Sequence, residues 1–220
     1  MQGYLTPRLR VFLLDDHNIV RRGLRDLLDT KLDITVVGES GSARQAAQRI
    51  LELKPDVMVL DVHLQDGSGV QVCREVRSSD PSIKGLLLTS YDEEAALISM
   101  ILAGAEGYVL KLAESLDITA AIHRVGAGER LVDAVKTERV TAELLATLKD
   151  ISPALTEHEQ QILTHALGGL TNGQIAERLG VAEESLGTDL APLLERLTNR
   201  SNWHRPASGA HGPGKHRRHD

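Results

Sequence analysis

Val57-Met58-Val59-Leu60-Asp61 decides the fold: four apolar residues run into a single carboxylate, and the turn Asp66-Gly67-Ser68-Gly69 follows. A short apolar run bounded by turn signals marks a strand buried on both faces, as in a parallel sheet. An acid at its last position is carried to the carboxyl edge of that sheet, the edge where open α/β folds bind ligands. Asp61 is therefore the first candidate for chemistry, as a nucleophile that accepts a phosphoryl group.

The flanking segments alternate in the same way. Upstream, Leu9 to Leu14 reads as a strand ending in Asp15-Asp16-His17, and Ile19, Gly23, Leu24, Leu27 and Leu28 recur at helical spacing. Ile34 to Val37 reads as a second strand stopped by Gly38. A helix from Ala43 to Leu53 follows, with Ala46, Ala47, Ile50 and Leu51 inward and Pro55 ending it. Downstream of Asp61 come a helix from Val70 closed at Asp80-Pro81, a strand Gly85–Leu88 delivering Thr89, and a helix Glu93–Leu102. The strand Gly107–Leu110 then delivers Lys111, and a helix carries Ile118, Ile122 and Val125. Alternation of this kind over about 120 residues predicts an α/β, flavodoxin-like, doubly wound five-stranded parallel sheet with helices on both faces.

Parallel strands put Asp15, Asp16, Asp61, Thr89 and Lys111 at one edge. Three crowded carboxylates repel and call for a cation, and a hard, oxygen-liganded ion such as Mg²⁺ suits them. Lys111 supplies positive charge for phosphoryl oxygens and Thr89 a hydroxyl, the positioning and charge that phosphoryl transfer needs.

The bulk numbers exclude several alternatives. The 220 residues are 41% hydrophobic and 25% charged, as in ordinary globular proteins, but only 2% aromatic, so the cores must be aliphatic. One cysteine, Cys73, rules out an internal disulfide and reads as a packed helix residue. The stretch Met1–Arg10 is polar with Pro7, so no leader is expected, and Ala95–Ala105 is too short to span a bilayer. A cytoplasmic location without a membrane partner is the expectation. No nucleotide-binding glycine loop is present, which sets aside a nucleotide-using phosphotransfer enzyme. An enzyme is not expected.

The segments Leu14-Asp15-Asp16-His17, Val59-Leu60-Asp61-Val62, Leu88-Thr89-Ser90-Tyr91 and Gly107-Tyr108-Val109-Leu110-Lys111 resemble the receiver domain of two-component response regulators. The resemblance implies that a sensor histidine kinase phosphorylates Asp61. It also implies that Asp15, Asp16, Asp61 and the backbone carbonyl of His63 hold Mg²⁺, that Thr89 is the switch hydroxyl, and that Tyr108 follows it inward. Gln65 stands where the family usually has proline, which should loosen the turn. Leu112 follows Lys111 where an acid or proline is common. The side chain of His63 is expected to be solvated.

The second half has a different period. Val140, Leu144, Leu145 and Leu148 mark a linker helix within Val132–Asp150, suited to pack on a neighbour or on a second copy. Thr156-Glu157-His158-Glu159 is a capping-box start, and Ile162, Leu163, Ala166 and Leu167 form a stripe ended by Gly168-Gly169. Leu170–Gly180 reads as a second helix and turn, and Glu183–Leu197 as a third. This small all-α part resembles the LuxR-type helix-turn-helix of NarL/FixJ regulators, through Leu155-Thr156, Glu159, Leu170-Thr171-Asn172, Gln174-Ile175-Ala176 and Leu179. The receiver text is similar to DevR/DosR-like members. The implied organisation is a receiver at 1–130, a linker helix at 131–151, an effector at 152–199 and a disordered basic tail at 200–220. The resemblance implies promoter DNA as a partner, with Thr171, Asn172, Ser185 and Thr188 as DNA contacts, and a homodimer or a heterodimer with a related regulator.

The recognition segment departs from that pattern. It reads Ser185-Leu186-Gly187-Thr188-Asp189, then Ala191-Pro192, and residues 152–199 hold seven acids against two arginines. Such a surface repels phosphates. Pro192 and Gly187 predict a kink or an early end near Asp189. Two functions follow: transcription control through the helix-turn-helix, or a phosphorylation-dependent regulator that acts by protein contacts without autonomous DNA binding.

Overall fold

The computed structural model describes residues 8–90, 93–111, 118–150 and 155–198. The expectations for Tyr91, Leu112 and the basic tail lie outside these residues.

Apolar runs with no interruption become central strands. β1 (Leu9–Leu14), β2 (Ile34–Ser40), β3 (Val57–Asp61), β6 (Lys84–Thr89) and β7 (Gly107–Leu110) pair in parallel in the order β2-β1-β3-β6-β7. Every residue of β3 is buried, as two helical layers require. α1 (Asn18–Asp29) and α5 (Ile118–Gly126) cover one face, where Leu24, Leu28, Ile118, Ile122 and Val125 meet Val11, Val59 and Leu86. α2 (Ala43–Leu53), α3 (Gly69–Ser79) and α4 (Glu93–Ala103) cover the other.

Two local readings are corrected. Ile19 does not face the sheet: it is 87% exposed, and the inward row on α1 is Leu24 and Leu28. Gly38 does not stop β2, which runs on to Ser40 past a register shift opposite Val11 and Phe12. A Cβ at position 38 would lie 2.5 Å from Leu53 and 2.9 Å from Phe12, so glycine admits those side chains over the backbone. The turn after Asp61 is a small antiparallel hairpin, β4 (His63–Leu64) with β5 (Gly67–Ser68).

The linker helix α6 (Ala134–Asp150) buries Val140, Leu144 and Leu148 within its own chain, against α4 and α7 (Glu157–Leu167). α8 (Asn172–Leu179) and α9 (Glu183–Thr198) complete the helical unit. Both α7 and α8 start with complete capping boxes, Thr156 with Glu159 and Thr171 with Gln174. The early end expected near Asp189 is not found, since α9 continues through Gly187 and Pro192 to Thr198. Leu186, Leu190, Leu193 and Leu194 are all buried along one face. Burial of about 1.5–3 kcal/mol per leucine outweighs the roughly 3 kcal/mol that proline costs a helix.

The two units share one apolar cluster. Residues Ala96 to Ala103 of α4 are all buried, because the sheet lies on one side and α6, α7 and α9 lie on the other. A helix apolar all round is a buried helix.

Candidate functional site

The carboxyl ends of β1, β3 and β7 deliver three charges to one point. The Lys111 ammonium donates to Asp15 Oδ2 at 2.8 Å and to Asp61 Oδ2 at 2.7 Å. Asp15 and Asp61 are 1% and 4% exposed, so these are shielded contacts. Burial raises the pKa of Asp61, Lys111 pulls it back, and repulsion from Asp15 adds to the rise. For Lys111, burial alone would lower the pKa, but the bonds and charges of Asp15 and Asp61 outweigh it and hold the ammonium charged.

Asp16 approaches from the next residue. Gln65 N donates to its Oδ2 at 3.0 Å, a bond that proline could not make. The departure at position 65 therefore ties the hairpin to the acid pair. The Asp16 Oδ1 is buried and has no hydrogen-bond donor aligned on it, although His17 Nδ1 lies 2.8 Å away. One ligand atom from each of Asp15, Asp16, His17 and Asp61 falls within 4.8 Å of all the others. An orphaned carboxylate oxygen among acids is a donor set that fits a hard divalent cation. His17 was not singled out from sequence, and the signal was its place directly after the acid pair.

The remaining predicted residues take these positions. His63 opens β4 with an exposed side chain, and its N–H donates to Asp61 Oδ1 at 3.3 Å. Thr89 is the buried last residue of β6, and its carbonyl accepts from Lys111 N at 2.7 Å. Tyr108 is half-buried on β7, and burial, with Glu93 nearby, raises its phenol pKa. Burial likewise pushes the Cys73 thiol up to about 12, which fits a packed, unreactive side chain.

The helix-turn-helix face is partly covered. Arg74 of α3, 5% exposed, donates to Leu102 O at 2.6 Å on its own unit, and to Leu170 O at 2.7 Å and Asn172 Oδ1 at 3.0 Å on the other. Asn172, expected to be a DNA contact, is thus only 7% exposed and acts here as an interface residue. Thr171 caps α8 through its hydroxyl. Ser185 and Thr188 are exposed on α9, but Gln71 donates to Gly187 O at 3.3 Å and Ser78 to Glu183 Oε1 at 2.8 Å. Sequence reasoning missed Arg74, since an arginine on a helix reads as surface.

A parallel sheet whose edge gathers paired acids, a third acid and a lysine defines a receiver, and the chain belongs to the two-component response regulators of the NarL/LuxR type. Residues 11–123 match the response regulator receiver domain, and residues 153–203 match the luxR family of bacterial regulatory proteins. The chain is 42% identical to the DNA-binding transcriptional activator DevR/DosR of Mycobacterium tuberculosis, over 86% of this chain and 88% of that one. It is 31% identical to the response regulator protein VraR of Staphylococcus aureus, over 86% and 90%. Among solved structures, a LuxR-family two-component response regulator from Aurantimonas sp. SI85-9A1 is similar with a TM-score of 0.55 at 30% identity, covering 63% of this chain and 99% of that one. These relatives are regulators of signalling and transcription, and among the described residues no helix is long and apolar enough to cross a membrane.

Proposed function

We propose that this response regulator is phosphorylated on Asp61 by a sensor histidine kinase, and that the modification controls whether the effector unit is held against the receiver. The observation that carries the reading is Lys111, whose ammonium bridges Asp15 and Asp61 at the carboxyl edge of the sheet. An Asp61 carboxylate oxygen attacks the donor's phosphorus, the P–O or P–N bond to the donor breaks, and the departing group takes that electron pair. Lys111 would hold positive charge against the phosphoryl oxygens, and the Thr89 hydroxyl would donate to one of them. Asp15, Asp16, Asp61 and the carbonyl of His63 would hold Mg²⁺, which when bound neutralises the crowded oxygens.

The output is carried by α4. It begins soon after Thr89 and packs against α6, α7 and α9, so a change at Thr89 and Tyr108 reaches the effector through one rigid element. In the arrangement seen, Asn172 and part of α9 lie under α3. Release of that contact opens the helix-turn-helix toward promoter DNA.

A second reading is favoured by the charge of the effector. With seven acids against two arginines over residues 152–199, release would expose a surface for a protein partner in place of DNA. A gel-shift titration of wild type and Asp61→Asn, with and without an acyl phosphate, across a salt series separates the two. Transcription control by direct DNA contact requires binding that strengthens on phosphorylation, weakens with salt and is absent from the variant. The protein-contact reading requires no salt-sensitive binding in either form.

A further inference from the structure

The junction between the two units forms a half-open cleft with a cavity volume of about 270 Å³, walled by α3, α4, α6 and the turn into α8. That is many times the roughly 10–15 Å³ that a single water needs on this measure, and more than a packing defect. Its lining is unusual for a chain with net charge −6: it contains Arg74, Arg77 and Arg130 and no carboxylate. Arg77 is neutralised by Glu106 at 2.7 Å. Arg74 is not neutralised, since its three bonds go to two carbonyls and an amide oxygen, and no described acid lies within ion-pairing distance. Arg130 likewise has no described carboxylate partner, and it is exposed at the rim. Thr141 and Thr171 line the same space, and α4 contributes the apolar residues Met100, Ile101 and Ala103.

A buried guanidinium without a counter-charge is costly, and an anion beside it removes much of that cost. We propose that this cavity binds a small phosphate-bearing anion, with Arg130, Thr141 and Thr171 donating to it and Arg74 supplying the field. Arginine and hydroxyl donors are the usual partners of phosphate oxygens, and the apolar wall leaves room for a short organic group. The walls come from receiver, linker helix and effector, so only the closed arrangement has the complete site. Such an anion stabilises the closed form by mass action and opposes release of the effector. The site is separate from the carboxyl edge of the sheet and requires neither phosphorylation nor DNA binding.

Calorimetric titration of the full chain with inorganic phosphate, and separately with glycerol 3-phosphate, tests this in magnesium-free buffer. Saturable one-site binding is expected, weakened at least tenfold in Arg130→Gln and in Thr141→Val. Tighter binding of glycerol 3-phosphate assigns the site to a phosphomonoester, and equal binding assigns it to free phosphate. Bound ligand should also slow amide exchange in α6 and at the start of α8. Absence of saturable binding, binding unchanged in both variants, or binding lost instead in Lys111→Met would overturn the proposal.

Discussion

The carboxyl edge of the sheet and the first turns of α9 are the two places where this chain meets its family's chemistry, and they have fared differently. At the sheet edge the groups that the proposed phosphoryl transfer needs are gathered: Lys111 lies 2.7 Å from Asp61 and 2.8 Å from Asp15. Even the change at position 65 adds a bond, from Gln65 N to Asp16. In α9 the scaffold survives, and the segment that the family uses to read DNA carries an altered sequence. Four buried leucines keep the helix whole, while Gly187, Asp189 and Pro192 occupy the segment that should face the groove. A buried apolar stripe tolerates changes on its solvent face, whereas a charge cluster at a sheet edge loses its function with one group removed.

The largest effect that would sharpen the contrast is at Lys111. Lys111→Ala should lower the rate of Asp61 labelling by an acyl phosphate about 10²- to 10³-fold, read by intact mass against time. In the wild type, burial raises the pKa of Asp61 above 3.8, so its carboxylate is protonated at a higher pH than a free aspartate. Labelling should accordingly fall off, as pH drops, before an unperturbed carboxylate would. Next, Arg74→Met leaves Leu102 O, Leu170 O and Asn172 without their donor, and should destabilise the closed arrangement by about 3 kcal/mol. Limited proteolysis between α5 and α7 should quicken accordingly, and unchanged cleavage would show that the clamp holds nothing. Gln65→Pro removes the tie on Asp16 and should weaken Mg²⁺ binding roughly tenfold, measured by calorimetry. The smallest effect belongs to α9. A Cβ at Gly187 meets nothing within 4 Å, so Gly187→Ala should raise stability by about 1 kcal/mol in thermal unfolding. It should do so without improving DNA affinity, because the acids remain.

What could be read from sequence divides along the same line. Asp15, Asp61, Thr89 and Lys111 were legible because each ends an apolar run, and parallel topology brings strand ends together without any knowledge of side-chain packing. The start of α7 was legible from Thr156 with Glu159 three residues on, whereas the matching box of Thr171 and Gln174 at the start of α8 was not read. Ile19 misled because helical spacing alone does not say which apolar residue is last on the buried row. Gly38 misled because glycine serves close approach as well as termination. The role of Arg74 was not legible, since it depends on carbonyls 28 and 96 residues away. A clue to its surroundings was present in the uncharged run Ala95–Ala105. Too short for a membrane, it needed a second protein surface, and the effector unit supplies one.

The most direct measurement is intact and peptide mass spectrometry of the full chain after incubation with acetyl phosphate in magnesium buffer. Phosphoryl transfer at the sheet edge predicts one added phosphoryl group, mapped to Asp61 and absent from Asp61→Asn. An unlabelled chain under these conditions, or a label on another residue that persists in the variant, would contradict it.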